Sequence, residues 1–165
     1  MGHDGQKRGG KETVWCLDAT TGKEIWTDSY EAAIVDYLHE GGPCATPTID
    51  GSRVIGQSKD GRLTCYSIGS GRKLWTVNLM EKAGLARPPE WGFAASPFVL
   101  GNLLIVEATF TLALYKLTGK EVWRSHVYRP AYGSPVAFNF KGKTYLATLN
   151  TDGLVILDAV TGKTV

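Results

Sequence analysis

The sequence has little of what carries most catalytic and membrane chemistry. It holds three cysteines, no two of them adjacent, too few for a disulfide framework. Three histidines, His3, His39 and His126, are scattered without the spacing of metal ligands. A net charge of +2 is too small to argue for nucleic acid or an anionic membrane as a partner. No stretch has the length of a transmembrane helix. Residues 1–10, glycine-rich and polar, read as a turn or frayed start and lack the apolar core of a signal peptide. They neither follow a strand nor open a helix, so they are no phosphate loop. Acidic residues nowhere reach the density of a calcium loop, and no strand–turn–helix elbow presents a nucleophilic serine.

What the sequence does have is one phrase that returns. Thr21-Gly22-Lys23-Glu24-Ile25-Trp26 comes back as Ser70-Gly71-Arg72-Lys73-Leu74-Trp75 and as Thr118-Gly119-Lys120-Glu121-Val122-Trp123. A fourth copy, Thr161-Gly162-Lys163-Thr164-Val165, reaches its tryptophan position one residue beyond Val165. The glycines step by 49, 48 and 43 residues, a period that marks solenoids, propellers and arrays. Each repeated tryptophan can remove roughly 200 Å² from water, on the order of 5 kcal/mol as an upper bound. Three of the five tryptophans stand at this one position, which points to a structural role. Cys16 and Cys65 also match, each six residues before its glycine, and suggest a small buried side chain on equivalent strands.

Between these phrases the chain alternates short β-rich runs with turn signals. Val14–Asp18 and Glu24–Thr27 make a hairpin across Ala19-Thr20-Thr21-Gly22. Ala45–Ile49, Arg53–Ser58, Arg62–Tyr66 and Lys73–Val77 read as four antiparallel strands joined at Asp50-Gly51 and Asp60-Gly61, with Pro47 at the opening strand, where a missing N–H is tolerated. The pattern repeats from Ala95 and again from Gly133. Asp50, Asp60 and Asp152 each precede a glycine and read as turn formers. The expected organisation is the second half of a first blade at 1–29, a connector at 30–44, a complete blade at 45–79, a connector at 80–94, a complete blade at 95–126 and an incomplete blade at 134–165. Four-stranded meanders at this period make the fold all-β, a β-propeller of four-stranded antiparallel blades.

The phrases Cys16–Trp26 and Leu157–Lys163 resemble the PQQ-like (pyrroloquinoline quinone) repeat, the tryptophan-docking motif of quinoprotein dehydrogenases and of the outer-membrane assembly lipoprotein propeller. The second copy departs, with Ser67 in the place of Asp18 and Arg72 in that of Lys23, and the third puts Tyr115 at the Asp position. The resemblance implies that Gly22, Trp26, Gly71, Trp75, Gly119, Trp123 and Gly162 staple neighbouring blades in a ring of about seven or eight. About three and a half blades are accounted for, so the remaining blades of the same protein are expected as partners. A periplasmic or cell-envelope location is likewise what the resemblance favours. The family holds enzymes and non-enzymes alike, and fold does not decide between them. Its dehydrogenases use PQQ with Ca²⁺ and often an adjacent-cysteine disulfide, which this sequence lacks.

The expected reading is therefore a non-catalytic scaffold that binds no cofactor. The alternatives are part of a PQQ-dependent alcohol or sugar dehydrogenase and a polysaccharide-binding module. Binding is expected on the two long connectors, because long loops on a rigid scaffold are often functional. The candidates are Asp36, Tyr37 and His39 on the first and Arg87, Glu90 and Trp91 on the second. They would meet a protein partner or a sugar, with Trp91 as a platform. The plainer alternative is that Trp91 and Phe93 plug the space between blades.

Overall fold

The computed structural model describes residues 1–6, 8–32, 34, 41–129 and 131–165. These form two compact units, Met1–Ala94 and Ala95–Val165. The first unit contains a sheet of β1 (Gly2–His3), β2 (Lys11–Leu17) and β3 (Glu24–Glu31), then one of β4 (Thr48–Asp50), β5 (Arg53–Gln57), β6 (Arg62–Ser67) and β7 (Lys73–Asn78), followed by a short helix α1 (Leu79–Ala83). The second unit contains β8 (Phe98–Leu100), β9 (Leu103–Glu107), β10 (Thr111–Tyr115) and β11 (Glu121–Arg124) in one sheet, and β12 (Val136–Phe140), β13 (Lys143–Asn150) and β14 (Gly153–Asp158) in another. Within each sheet sequence neighbours are spatial neighbours and every pairing is antiparallel. These meanders are β-propeller blades, so the chain is a partial propeller.

The returning phrase is a turn whose backbone closes it. Gly22 N–H donates to Asp18 O at 2.8 Å and Asp18 N–H to Lys23 O at 2.8 Å. Asp18 Oδ1 also accepts from the Thr21 amide and hydroxyl, each at 2.7 Å, and the Thr21 hydroxyl is the largest cause holding that carboxyl below its ordinary range. Asp158 and Thr161 repeat this arrangement at 2.9 Å. Where Ser67 and Tyr115 replace the aspartate, the glycine-to-carbonyl bonds persist at 2.9 and 2.8 Å. The aspartate is therefore an addition to a turn that glycine at positive φ already permits.

Just ahead of the turn each of three sheets carries a register shift at the same place, between Cys16 and Leu17, Cys65 and Tyr66, and Ala113 and Leu114. The residue before it faces the repeated tryptophan across the ladder: Cys16 with Trp26, Cys65 with Trp75, Ala113 with Trp123. A small side chain there leaves room for the indole, which accounts for the matched cysteines. The cysteines are free; Cys65 is buried and Cys16 only partly so. Burial pushes the Cys65 thiol up to about 11, so it stays protonated and unreactive near neutral pH.

Within each unit a tryptophan crosses to the turn of the next sheet. Trp26 Nε1–H donates to Ile68 O at 2.7 Å and its ring stacks on Tyr66 with centroids 5.7 Å apart. A Cβ at Gly71 would lie 2.7 Å from that ring. Trp123, 8% exposed, covers Gly162 even more closely, at 2.3 Å from an added Cβ. The cores beneath are Val14, Tyr30, Ala32 and Tyr66 in the first unit, and Ile105, Ala113, Trp123, Leu146, Leu157 and Ala159 in the second.

Three expectations need correction. Residues 1–10 are not simply frayed: Gly2 and His3 pair with Thr13 and Glu12. The His3 ring anchors them, with Nε2 bonded to Ala32 O at 3.0 Å and Nδ1 accepting from Gly5 N–H at 2.9 Å. The connector after β7 is not all loop, because Asn78 caps α1 by accepting from the Met80 and Glu81 amides at 2.9 and 3.3 Å. Finally, the strands expected to start at Ala45, Ala95 and Gly133 begin one residue after Pro47, Pro97 and Pro135, since proline brings no N–H to a ladder.

The docking geometry makes a paired prediction. Gly22→Ala meets open space and pays only the positive-φ cost, about 1 kcal/mol. Gly71→Ala at the same φ also strikes the Trp26 ring and should lose about 1–3 kcal/mol more. Urea unfolding midpoints of the two variants measure the difference.

Candidate functional site

Strand direction places the β5–β6 turn and the connector that leaves β7 at the same end of their sheet, and the two are bonded together. Leu79 N–H donates to Gly61 O at 2.8 Å, and Phe93 N–H to Lys59 O at 2.9 Å. Gln57 Nε2 donates back to Phe93 O at 3.2 Å. The packing needs glycine at two points. A Cβ at Gly61 would come within 2.7 Å of the Phe93 ring, and one at Gly92 within 2.2 Å of Lys59. Helix α1 ends on Gly84 in the left-handed conformation, with Gly84 and Leu85 N–H donating to Glu81 O and Met80 O at 3.2 and 3.0 Å. Both ends of the 80–94 connector are thus seated on the sheet.

Its middle is open. Arg87 and Glu90 are exposed and Trp91 is 39% exposed, whereas Phe93 is 2% exposed. The two aromatics therefore differ: Phe93 fills the space over Gly61, and Trp91 keeps 39% of its surface in solvent. The other candidates, Asp36, Tyr37 and His39, lie outside the described residues. Of the repeat positions, Trp26 and Trp123 dock on Gly71 and Gly162, Gly22 and Gly119 close their turns at positive φ, and Trp75 lies opposite Cys65.

Two buried carboxyls were not singled out by the sequence. Glu12 Oε2 accepts from Tyr30 OH at 3.0 Å, and its other oxygen is buried without a partner of ordinary hydrogen-bond geometry. Glu107 accepts from Tyr128 OH at 2.7 Å and from Thr111 Oγ1 at 2.8 Å. Burial raises both carboxyls, and the hydroxyls that donate to them offset only part of it. In each case the tyrosine stands where the chain leaves the outer strand of its sheet. The only signal in the sequence was an acidic residue in an otherwise apolar or β-branched run, as in Leu104-Ile105-Val106-Glu107.

As for a metal or quinone site, among the described residues no three His, Cys, Asp or Glu side chains converge, and the two buried carboxyls are each taken up by a tyrosine. No described helix is long and apolar enough to cross a membrane.

Solved structures share this architecture. BamB from Moraxella catarrhalis superposes with a TM-score of 0.64 at 17% identity, over 92% of this chain and 44% of its own. Quinohemoprotein alcohol dehydrogenase from Comamonas testosteroni gives 0.66 at 17% identity, over 93% of this chain and 31% of its own. The computationally designed Ika8 protein gives 0.62 at 18%, over 99% and 44%. The chain thus spans less than half the length of each, and likenesses at this identity show the fold alone. No curated protein matches the sequence.

The seating of the connector predicts unequal costs for its two aromatics. Phe93→Ala should cost about 3–5 kcal/mol, while Trp91→Ala, at a site still partly in solvent, should cost less, about 1–3 kcal/mol, both read by urea unfolding followed by circular dichroism.

The sequence family described as outer membrane protein assembly factor BamB matches residues 7–109, more than half of the chain, and with its docked tryptophans and antiparallel blades the chain belongs to this PQQ-like propeller family.

Proposed function

We propose that the chain is a non-catalytic propeller segment that serves as a binding or assembly scaffold in a bacterial envelope protein. Its partner is another protein of the envelope, met through the inter-blade connectors. The observation that carries this reading is the 80–94 connector: a rigid base, pinned through Leu79 and Phe93, presents Arg87, Glu90 and Trp91 outward. A seated loop with an exposed aromatic and charges of both signs meets a partner at low ordering cost. The family's description as an assembly factor supports a protein partner, and the rest of the ring would come from further blades.

A second reading, part of a PQQ-dependent alcohol or sugar dehydrogenase, is supported by the likeness to the Comamonas testosteroni enzyme. The third, a polysaccharide-binding module, is supported by the exposure of Trp91. On the scaffold reading no cofactor is expected.

Titration of the whole protein that carries this chain with PQQ and CaCl₂, followed by cofactor absorbance and dye-linked alcohol oxidation, separates these readings. The scaffold reading expects no saturable uptake and no turnover; saturable uptake with turnover overturns it in favour of the dehydrogenase. Saturable quenching of tryptophan fluorescence by cellohexaose or chitohexaose, lost in Trp91→Ala, would favour the sugar module instead. A photocrosslinker at position 90 in the envelope of the source cell should trap a discrete protein, and one at position 23 should not.

A further inference from the structure

Beneath the start of the 125–135 segment in the second unit, three oxygen-bearing side chains close a triangle. Glu107 ends β9, Thr111 opens β10 and Tyr128 lies just past β11. Glu107 Oε1 accepts from Thr111 Oγ1 at 2.8 Å and Oε2 from Tyr128 OH at 2.7 Å. The Thr111 and Tyr128 hydroxyls also bond each other. Every side of the triangle needs one proton. The two hydroxyls bring one each, and an ionised carboxylate brings none. With Glu107 ionised, one side therefore sets lone pair against lone pair; with Glu107 protonated, all three sides are filled.

The surroundings favour the protonated form as well. Glu107 is 7% exposed and Thr111 is fully buried, where an uncompensated charge is costly. The groups that act on the carboxyl are Tyr128 from the connector, Thr111 from β10 and Thr148 from β13, with no cation among them. Thr148 Oγ1 is buried without a partner of ordinary geometry. The charged and titratable groups beside Tyr128 in sequence are engaged elsewhere. His126 meets Tyr128 edge-on at 5.9 Å and pairs with Thr164 at 3.3 Å. Arg124 lies over Phe110 and binds Glu121, and Arg129 is paired with Asp152.

The same triangle holds the connector down. Tyr128 N–H donates to Thr109 O at 2.8 Å and Ser125 N–H to Thr111 O at 2.9 Å. The Thr111 amide donates to Ser125 Oγ at 2.9 Å. We propose that Glu107 is held as a neutral acid that clamps the connector, through Tyr128, to the β9–β10 turn, and that loss of its proton to solvent loosens the connector. The clamp concerns a different connector from the proposed partner site and stands whether or not that site binds anything.

The sign follows from burial. Desolvation is the largest cause acting on Glu107 and raises its pKa, partly offset by the Tyr128 and Thr111 hydroxyls. A folded value above the unfolded one means that the clamp's contribution is complete below the ordinary glutamate range. It is lost as pH rises through the raised value. Glu12 and Tyr30 echo the arrangement in the first unit, but Arg62 sits over Tyr30 at 4.7 Å and Asp60 acts on Glu12. Charges of both signs therefore act there, whereas only hydroxyls act on Glu107.

The test is a carboxyl carbon NMR titration of the whole chain, with hydrogen exchange at the Tyr128 amide, in the wild type and in Glu107→Gln. Glutamine keeps a neutral donor in place of the acid. Glu107 should titrate above the exposed glutamates. After correction for intrinsic base catalysis, Tyr128 exchange should rise about tenfold for each pH unit across the window between the unfolded and raised values. Glu107→Gln should be flat there. A Glu107 that titrates with the exposed glutamates, or identical exchange profiles in both proteins, overturns the proposal. Should Glu107→Gln fail to fold, Tyr128→Phe decides. With no hydroxyl to link the connector to Glu107, exchange at the residue 128 amide should be flat across that window, and a profile that still rises with pH refutes the clamp.

Discussion

Two indole rings, Trp26 and Trp123, lie so close to the turn glycine of the following sheet that no Cβ fits between them. Much else in the chain follows from that contact. The glycine has to stand at the turn, and the turn needs its left-handed residue there. The residue across the ladder from the tryptophan has to be small, and it is cysteine or alanine in every case described. Within each unit the spacing of the two copies is the length of chain that brings the second glycine under the first ring. Variation is confined to what the contact does not use, which is why Asp18 can give way to Ser67 or Tyr115 without changing the backbone bonds of the turn.

The two docking events are alike in packing and differ in polarity. Trp26 finds an acceptor in Ile68 O, while Trp123 is more deeply covered and its Nε1 is buried without a partner among the described residues. Burial of the ring carries the contact, and the hydrogen bond adds to it where the next turn offers a carbonyl. Tyr66 contributes in a second way, stacking on Trp26 and donating to Asp28 at 3.0 Å. Asp28 in turn pairs with Lys73 at 3.0 Å. The first unit is therefore held by an apolar contact edged with partly solvated polar ones.

Polar groups are concentrated where the chain leaves a sheet. A tyrosine at the end of one outer strand and another just past the end of a second reach back to buried glutamates, and Phe93 closes the 80–94 connector over Gly61. Connectors leave backbone groups that no ladder satisfies, so they need side chains that reach into the sheet. The same anchoring lets a connector display Arg87, Glu90 and Trp91 on a fixed base. Rigidity of the support and exposure of the display are two results of one arrangement.

Most of the architecture was legible in the residues themselves. The turn phrase, its period, the tryptophan four places after the glycine and the alternating β-rich runs imply antiparallel blades, because each is a local pattern with a local cause. The matched cysteines could be read as small residues on equivalent strands, though not as the partners of a tryptophan across the ladder. What lay beyond reach was decided by contacts distant in sequence. Gly2 and His3 form a strand because the His3 ring meets Ala32. Trp91 and Phe93 are both aromatic residues on one loop, yet only Phe93 has Gly61 opposite it. Glu12 and Glu107 look like ordinary acids until the sheet folds a tyrosine over each. Local patterns determine which segments become strands and turns; which side chains end up facing one another, and so which are buried, paired or displayed, is set only when the sheets pack.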